Sequence, residues 1–309
     1  MIEISVILPI FNEAPHLNEL YTELRAHLLE LKSSFEIILV SDGSTDGSNE
    51  LIRQIASNDD SVIGVILSRN FGHQAALMAG IEKSQGGYVI TMDADFQHPV
   101  SEIHRMIQAA NDGVDIVNMV RVGKAQGGSF KQLASIFFYR TMNRMGEVKI
   151  EAAAADFRLM NRKAVDAFLS LKEKDRFTRG LVSWIGFNQI SLEYIAAPRK
   201  SGNTKYPFRK MLSFAGSGFF SFSSKPLRIA FYLGILISLL GVIYSIYAIT
   251  QYFLGNTIPG WTSLMIVMLL LGGIQLLSLG IIGEYIARIF NEVKNRPVYH
   301  VQDEYQKDS

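Results

Sequence analysis

The chain has 309 residues and a formal net charge of +1. That length holds one large domain with additions, or two small domains, and the near-zero charge gives no case for a nucleic-acid partner. It has no cysteine, which excludes a disulfide framework and any thiolate metal site. Met1-Ile2-Glu3 has no basic character and the apolar run Ile4–Ile10 is short, so no signal peptide is expected.

Strands and helices alternate along residues 1–125. An apolar strand is expected at Ile4–Ile10, and Leu17, Leu20, Leu24, Leu28 and Leu31 then fall at helical spacing. Strand 35–40, helix 46–56, strand Val62–Leu67, helix 74–83, strand 88–92, helix 100–110 and strand 115–120 follow in turn. This rhythm implies an α/β fold with a doubly wound, mostly parallel sheet. Neither the P-loop nor the dinucleotide glycine fingerprint is present.

Polar residues gather after four successive strands: Asn12 and Glu13, then Ser41 to Gly47, then Ser68-Arg69-Asn70, then Asp93-Ala94-Asp95. In an open α/β sheet ligands bind beyond the carboxyl ends of the strands, so one composite pocket is expected there. Any single cluster reads equally well as a helix cap, Asp46 and Ser48 above all. The pair Asp93 and Asp95 is the sharpest feature. Two carboxylates at the end of a buried strand repel each other, and a hard divalent cation that also holds phosphate oxygens relieves the repulsion. His73, His98 and His104 lie in or beside helices and are expected at surface or capping positions, without a metal role.

Residues 126–225 carry two aromatic and basic stretches. Phe130, Leu133, Ala134, Phe137 and Phe138 are interspersed with Lys131, Arg140 and Arg144; Phe208, Met211, Leu212, Phe219, Phe220 and Phe222 with Arg209 and Lys210. Such helices lie in a membrane interface plane, or pack into a core or a homo-oligomer interface.

From 229 to 283 there is no Asp, Glu, Lys or Arg. That is too long for one span, and the breaker-rich stretch 255–260 divides it into spans at 227–253 and 262–286. Tyr252 and Trp261 flank the turn as interfacial aromatics do, while Lys225, Arg228, Arg288, Lys294 and Arg296 lie at the other ends. The positive-inside rule puts both termini and the N-terminal domain in the cytoplasm, with a tail at 289–309 after a hairpin at 226–288. Glu284 is expected at the interface.

Several stretches together resemble the family 2 inverting glycosyltransferases of the GT-A fold, most strongly the polyprenyl-phosphate sugar transferases, which include dolichyl-phosphate mannose synthases and bactoprenol glucosyltransferases. They run from Val6 to Glu13, from Val40 to Asp46, from Arg69 to Gly72 and from Met92 to Pro99; Asp156-Phe157-Arg158-Leu159 and the loop from Pro198 to Tyr206 follow. The resemblance implies that Pro9, Phe11, Glu13 and Asp42 hold the nucleoside, with Arg69 in the same nucleotide site. It implies that Asp93 and Asp95 bind the diphosphate through Mg²⁺ or Mn²⁺, with Gln97 beside them. Arg199, Ser201 and Lys205 would reach phosphates from a loop, Lys205 with a catalytic part. Asp156 would lie in the acceptor region, as base or as a positioning group. Arg121 and Lys131 would hold the lipid phosphate. The chain departs from the pattern at Ala155, where the family commonly has Gly. It also lacks the second Arg often found after the position of Arg121, and Lys124 and Lys131 are its nearest substitutes.

The implied reaction moves a sugar, glucose from UDP-glucose by resemblance, to a polyprenyl phosphate at the cytoplasmic membrane face. A phosphomonoester acceptor is mostly a dianion at neutral pH, since its second pKa is about 6, and needs positioning more than deprotonation. A processive polysaccharide synthase would normally carry a Q-x-x-R-W motif, and Trp184 follows Leu181-Val182-Ser183 instead. A non-catalytic binding protein is disfavoured by the intact Asp93, Asp95 and Lys205.

Overall fold

The computed structural model describes residues 2–122, 154–173, 178–196, 225–255 and 260–307. Its first part runs β1 (Ile4–Ile10), α1 (Ala14–Glu30), β2 (Phe35–Ser41), α2 (Ser48–Asn58), β3 (Val62–Leu67), α3 (His73–Lys83), β4 (Tyr88–Thr91), α4 (Glu102–Asn111) and β5 (Ile116–Val122). Every element expected in this stretch forms, with ends moved by no more than two residues. The shift at α2 has a local cause. Gly47 adopts φ of 93°, a left-handed turn that a helix begun at Asp46 would have to cross.

Then come β6 (Ala154–Asn161), α5 (Arg162–Ser170), α6 (Thr178–Trp184), β7 (Gln189–Ile195), α7 (Lys225–Phe253), α8 (Trp261–Val293) and β8 (Val301–Tyr305). The eight strands make one sheet ordered β7-β5-β6-β4-β1-β2-β3-β8. β1 pairs in parallel with β2 and β4, β2 with β3, and β5 with β7. β6 runs antiparallel between β4 and β5, and β8 runs antiparallel along β3.

The strands sort their side chains with a period of two. Val6, Leu8 and Ile10 of β1 join Ile37 and Leu39 of β2 in one core, with Leu17, Leu20, Leu24 and Leu28 of α1 and Ile103 and Met106 of α4. Ile7 joins Ile38 and Val40 in the other, with Leu77 of α3, Phe168 of α5 and Leu181 of α6. Helices therefore cover both faces, the expected doubly wound arrangement. The fit is close at Gly80, where an added Cβ would lie 2.3 Å from the Ile7 side chain.

α7 and α8 pack on each other and are both long and apolar enough to cross a membrane. Phe231, Leu239 and Leu276 point outward, each more than half exposed. A soluble surface rarely carries so continuous an apolar face. Near the end of α8, Glu284 pairs with Arg288 one turn later at 2.9 Å. The next segment does not trail away. It returns to the sheet as β8.

Candidate active site

The four polar clusters come together at the carboxyl ends of β1 to β4. Three loops there are laced together. Asn12, at φ of 58°, donates its amide to Ser44 Oγ and accepts from the Thr45 amide through its side chain, at 3.1 and 2.8 Å. Asp46 accepts the Ala14 amide at 3.0 Å and the Ser48 hydroxyl at 2.6 Å. It thus joins the starts of α1 and α2 rather than capping its own helix alone. Asp42 is buried, and its carboxylate accepts the amides of Phe71 at 2.7 Å and Gly72 at 3.0 Å. Burial raises its pKa against the pull of those two donors. Gly43, at φ of +65°, sits where a Cβ would meet the backbone of Arg69 and Asn70 at 2.4 and 2.5 Å.

Pro9 is buried within β1, and Phe11 stands at its end, 38% exposed. Glu13 is the N-cap residue of α1 and donates its amide to Ser48 Oγ at 3.2 Å. Arg69 is exposed, its guanidinium 4.0 Å above the Phe71 ring.

The turn after β4 is built around its carboxylates. Asp95 accepts the Gln97 amide at 3.1 Å, and Phe96 takes a left-handed φ of 62° to close the turn. His98 Nδ1 accepts the Asp93 amide at 2.8 Å. A neutral ring then carries its proton on Nε2, which faces Asp93 Oδ2 at 3.6 Å. His98 is buried and stacks on Phe157 with ring centroids 4.8 Å apart. Arg121, at the end of β5, donates to Gln97 Oε1 at 3.1 Å.

Because β6 runs antiparallel to β4, its beginning lies beside the end of β4. Thr91 of β4 donates its hydroxyl to the Asp156 carbonyl at 2.7 Å. The Asp156 side chain is buried among cations. Arg158 approaches it at 3.3 Å, Arg179 of α6 at 3.3 Å and His73 Nε2 at 3.6 Å. Burial alone would raise its pKa, but Arg179, His73 and Arg158 hold the carboxyl well below the usual carboxylate range. Burial brings Arg158 down to about 10. His73 also faces Asp93 Oδ1 at 3.5 Å. Burial lowers its pKa, yet the hydrogen bond to Asp156 and the Asp93 charge push it up to about 9.

One model, that of glycosyl transferase family 2, matches residues 5–169. A second, the GtrB C-terminal hairpin, matches residues 225–289. The chain belongs to glycosyl transferase family 2. Full-length relatives agree. An uncharacterized glycosyltransferase of Bacillus subtilis, YkcC, is 42% identical over 98% of this chain and 94% of its own. Another from Synechocystis is 42% identical over 98% of this chain and 95% of its own. The bactoprenol glucosyl transferase of Shigella phage SfV is 36% identical over 99% of this chain and all of its own.

In this glycosyltransferase, Pro9, Phe11, Glu13, Asp42, Arg69, Asp93, Asp95, Gln97, Arg121 and Asp156 all lie toward the same end of the sheet. Arg199, Ser201, Lys205, Lys124, Lys131 and both aromatic-basic stretches lie outside the described residues. The histidine expectation needs correction. His104 is exposed, but His73 and His98 line the carboxylate cluster, because each follows a strand end by only a few residues. Arg179 and Gln74 were not foreseen at all. Gln74 donates to Asp156 at 3.4 Å. The strand-end rule that located Asp93 also covers His73, whereas nothing in the sequence ties Arg179 to Asp156.

Proposed function

We propose that this glycosyltransferase moves glucose from UDP-glucose to a polyprenyl phosphate, with inversion, at the cytoplasmic face of a membrane. The observation that carries the reading is the meeting of two unlike carboxylate sites at His73, which faces Asp93 at 3.5 Å and Asp156 at 3.6 Å. Asp93 and Asp95 form the diphosphate side. Among the described residues no set of three or more His, Asp or Glu side chains forms a metal cage. Two carboxylates with phosphate oxygens and water are the donor set that Mg²⁺ or Mn²⁺ accepts. Such an ion supplies charge neutralisation to a departing nucleoside diphosphate. Pro9, Phe11, Glu13, Asp42 and Arg69 hold the nucleoside end, and Arg199, Ser201 and Lys205 reach the phosphates.

Asp156 marks the acceptor side. Its depressed proton affinity makes it a poor base, and a lipid phosphate dianion needs none. Asp156 instead fixes Arg179, whose side chain is 27% exposed, beside the place where an acceptor phosphate would enter. Arg121 and Lys131 add positive charge to that mouth.

The lipid reading is supported by the hairpin and by the printed activity of the phage relative. The pairing of β8 with β3 supports an even number of crossings, since the segments before and after the hairpin share one sheet. The basic flanks favour the cytoplasmic side. The test is incubation of membranes holding the protein with radiolabelled UDP- and GDP-sugars, followed by lipid extraction. Label from UDP-glucose in the lipid fraction, lost with chelator, is expected. Label in a polymer, or in no product, would refute the reading.

A further inference from the structure

We infer that the segment after the membrane hairpin, residues 298–307, is a strap that positions the donor site, with His300 as its contact to that site. The inference rests on the reading of the Asp42 side as the nucleotide side. Without β8, β3 would be an open sheet edge with a row of unpaired backbone groups. β8 closes it, pairing Gly64 with Tyr305, Val65 with Glu304 and Ile66 with Asp303. The register then shifts between Ile66 and Leu67, and the pairing runs on past the strand end. The Ser68 amide donates to the His300 carbonyl at 2.9 Å.

The strap is fastened from both faces of the sheet. On α3, Lys83 pairs with Glu304 at 2.5 Å, and Glu82 accepts from the Tyr299 hydroxyl. On α2, Arg53 donates to the Tyr305 hydroxyl at 2.9 Å and stacks over its ring at 4.9 Å. Lys307 reaches Asp60 at 2.8 Å.

What the strap touches is the loop that serves the site. The His300 ring packs on Phe71 with centroids 6.3 Å apart, and the Arg69 guanidinium packs on the same phenyl ring. Phe71 and Gly72 hold Asp42 through their amides. Gly43 leaves that loop no slack on its other side. Displacing His300 therefore moves Phe71, and with it Arg69 and Asp42 together. Val293, the last of α8, and His300 are seven residue steps apart, with six residues between them. An extended chain of that length reaches at most about 25 Å. The strap thus ties the donor loop to the end of the hairpin at a bounded distance, and His300 acts through Phe71 as a positioning residue.

The experiment uses the full-length protein in detergent or membranes. Binding of UDP-glucose with Mn²⁺ is measured by calorimetry, and KM for each substrate by transfer to a polyprenyl phosphate. For His300→Ala, UDP-glucose affinity and its KM should worsen by about fivefold, with acceptor KM and melting temperature unchanged. For His300→Phe, which keeps a ring against Phe71, both should return to near wild type. A chain ending at Pro297 should lose more than tenfold in donor affinity and regain it with a synthetic peptide of residues 298–309. Unchanged donor affinity in His300→Ala would overturn the strap. So would equal loss of donor and acceptor KM together with stability, or a His300→Phe variant no better than alanine. Failure of the wild type to bind any nucleotide sugar would instead overturn the functional reading beneath it.

Discussion

Asp93 and Asp156 stand at the ends of neighbouring antiparallel strands, and both face His73 within 3.6 Å. Their surroundings are opposite. The Asp93 side chain is 35% exposed, lies two residues from a second carboxylate and has the rings of His73 and His98 as neighbours. Asp156 is 9% exposed and lies between two guanidinium groups. One site is part-exposed with a second carboxylate nearby in the chain, and the other is buried against two arginines. The same side chain thus stands part-exposed beside another carboxylate in one place and buried among arginines in the next. Burial and neighbours, not residue type, divide the roles.

The comparison breaks most completely at the exposed pair. Asp93→Asn or Asp95→Asn should abolish detectable transfer, at least about a thousandfold, because the neutral amide no longer gathers a cation and a diphosphate. The melting temperature should stay within a few degrees, since neither carboxylate anchors the core. Transfer that survives excess chelator at full rate would contradict this assignment.

Asp156 should fail in the opposite way. Arg158 is 2% exposed, so Arg158→Met leaves a buried carboxylate short of a partner. A stability loss of about 3–5 kcal/mol is expected, read by denaturant unfolding. Asp156→Asn should cost a similar amount at neutral pH. Because the folded pKa of Asp156 is depressed, its contribution is complete above the unfolded carboxylate pKa of about 4 and disappears as pH falls through the folded value. Wild type and Asp156→Asn should therefore converge in stability on acidification. A gap that stays constant down to strongly acidic pH would show that the ion pairs are not its source.

Gly43→Ala tests the donor side of the comparison through the backbone. The new Cβ would meet the Arg69–Asn70 backbone at about 2.5 Å, on a residue with φ of +65°. A cost of about 1–3 kcal/mol is expected, with a raised UDP-glucose KM and an unchanged acceptor KM. Equal effects on both substrates would mean that the two sides share this loop.

The first five strands and four helices were readable because their physics is local. Buried strands such as Ile37 to Val40 are continuously apolar, and the α1 leucines repeat at helical spacing. The strand-end rule then gathered the pocket. β6 was opaque as a strand because Asp156 and Arg158 interrupt its apolar pattern, and the burial of both is accompanied by their pairing in the folded sheet. β8 was opaque for another reason. Val301-Gln302-Asp303-Glu304-Tyr305 is polar and largely exposed, and it is a strand because the edge of β3 accepts it. The pair of long apolar helices was legible in composition, though α8 continues to Val293, seven residues past the expected end of its span. Arg179 could not be seen at all, since its link to Asp156 exists only once β6 and α6 are folded.

Arg121 stands at the end of β5, next to β6 in the sheet, and its variant sharpens the comparison with the smallest effect. It leaves β5 on the side of the pocket where β6 brings Asp156, yet its guanidinium donates to Gln97 in the turn of Asp95. A guanidinium has five donors, so one bond to a neutral amide leaves capacity for a phosphate. If the acceptor phosphate takes that capacity, Arg121→Ala removes a charge-assisted contact while Gln97, Asp93 and Asp95 keep their backbone supports. The acceptor KM should then rise about tenfold, equivalent to about 1.4 kcal/mol, with donor KM changed less than about twofold. Arg121→Lys keeps the charge without the planar fork and should fall between the two. If Arg121→Ala raises the donor KM and spares the acceptor, the Gln97 bond is its purpose, Arg121 belongs to the diphosphate side, and the acceptor phosphate must be met by Arg179 and Lys131.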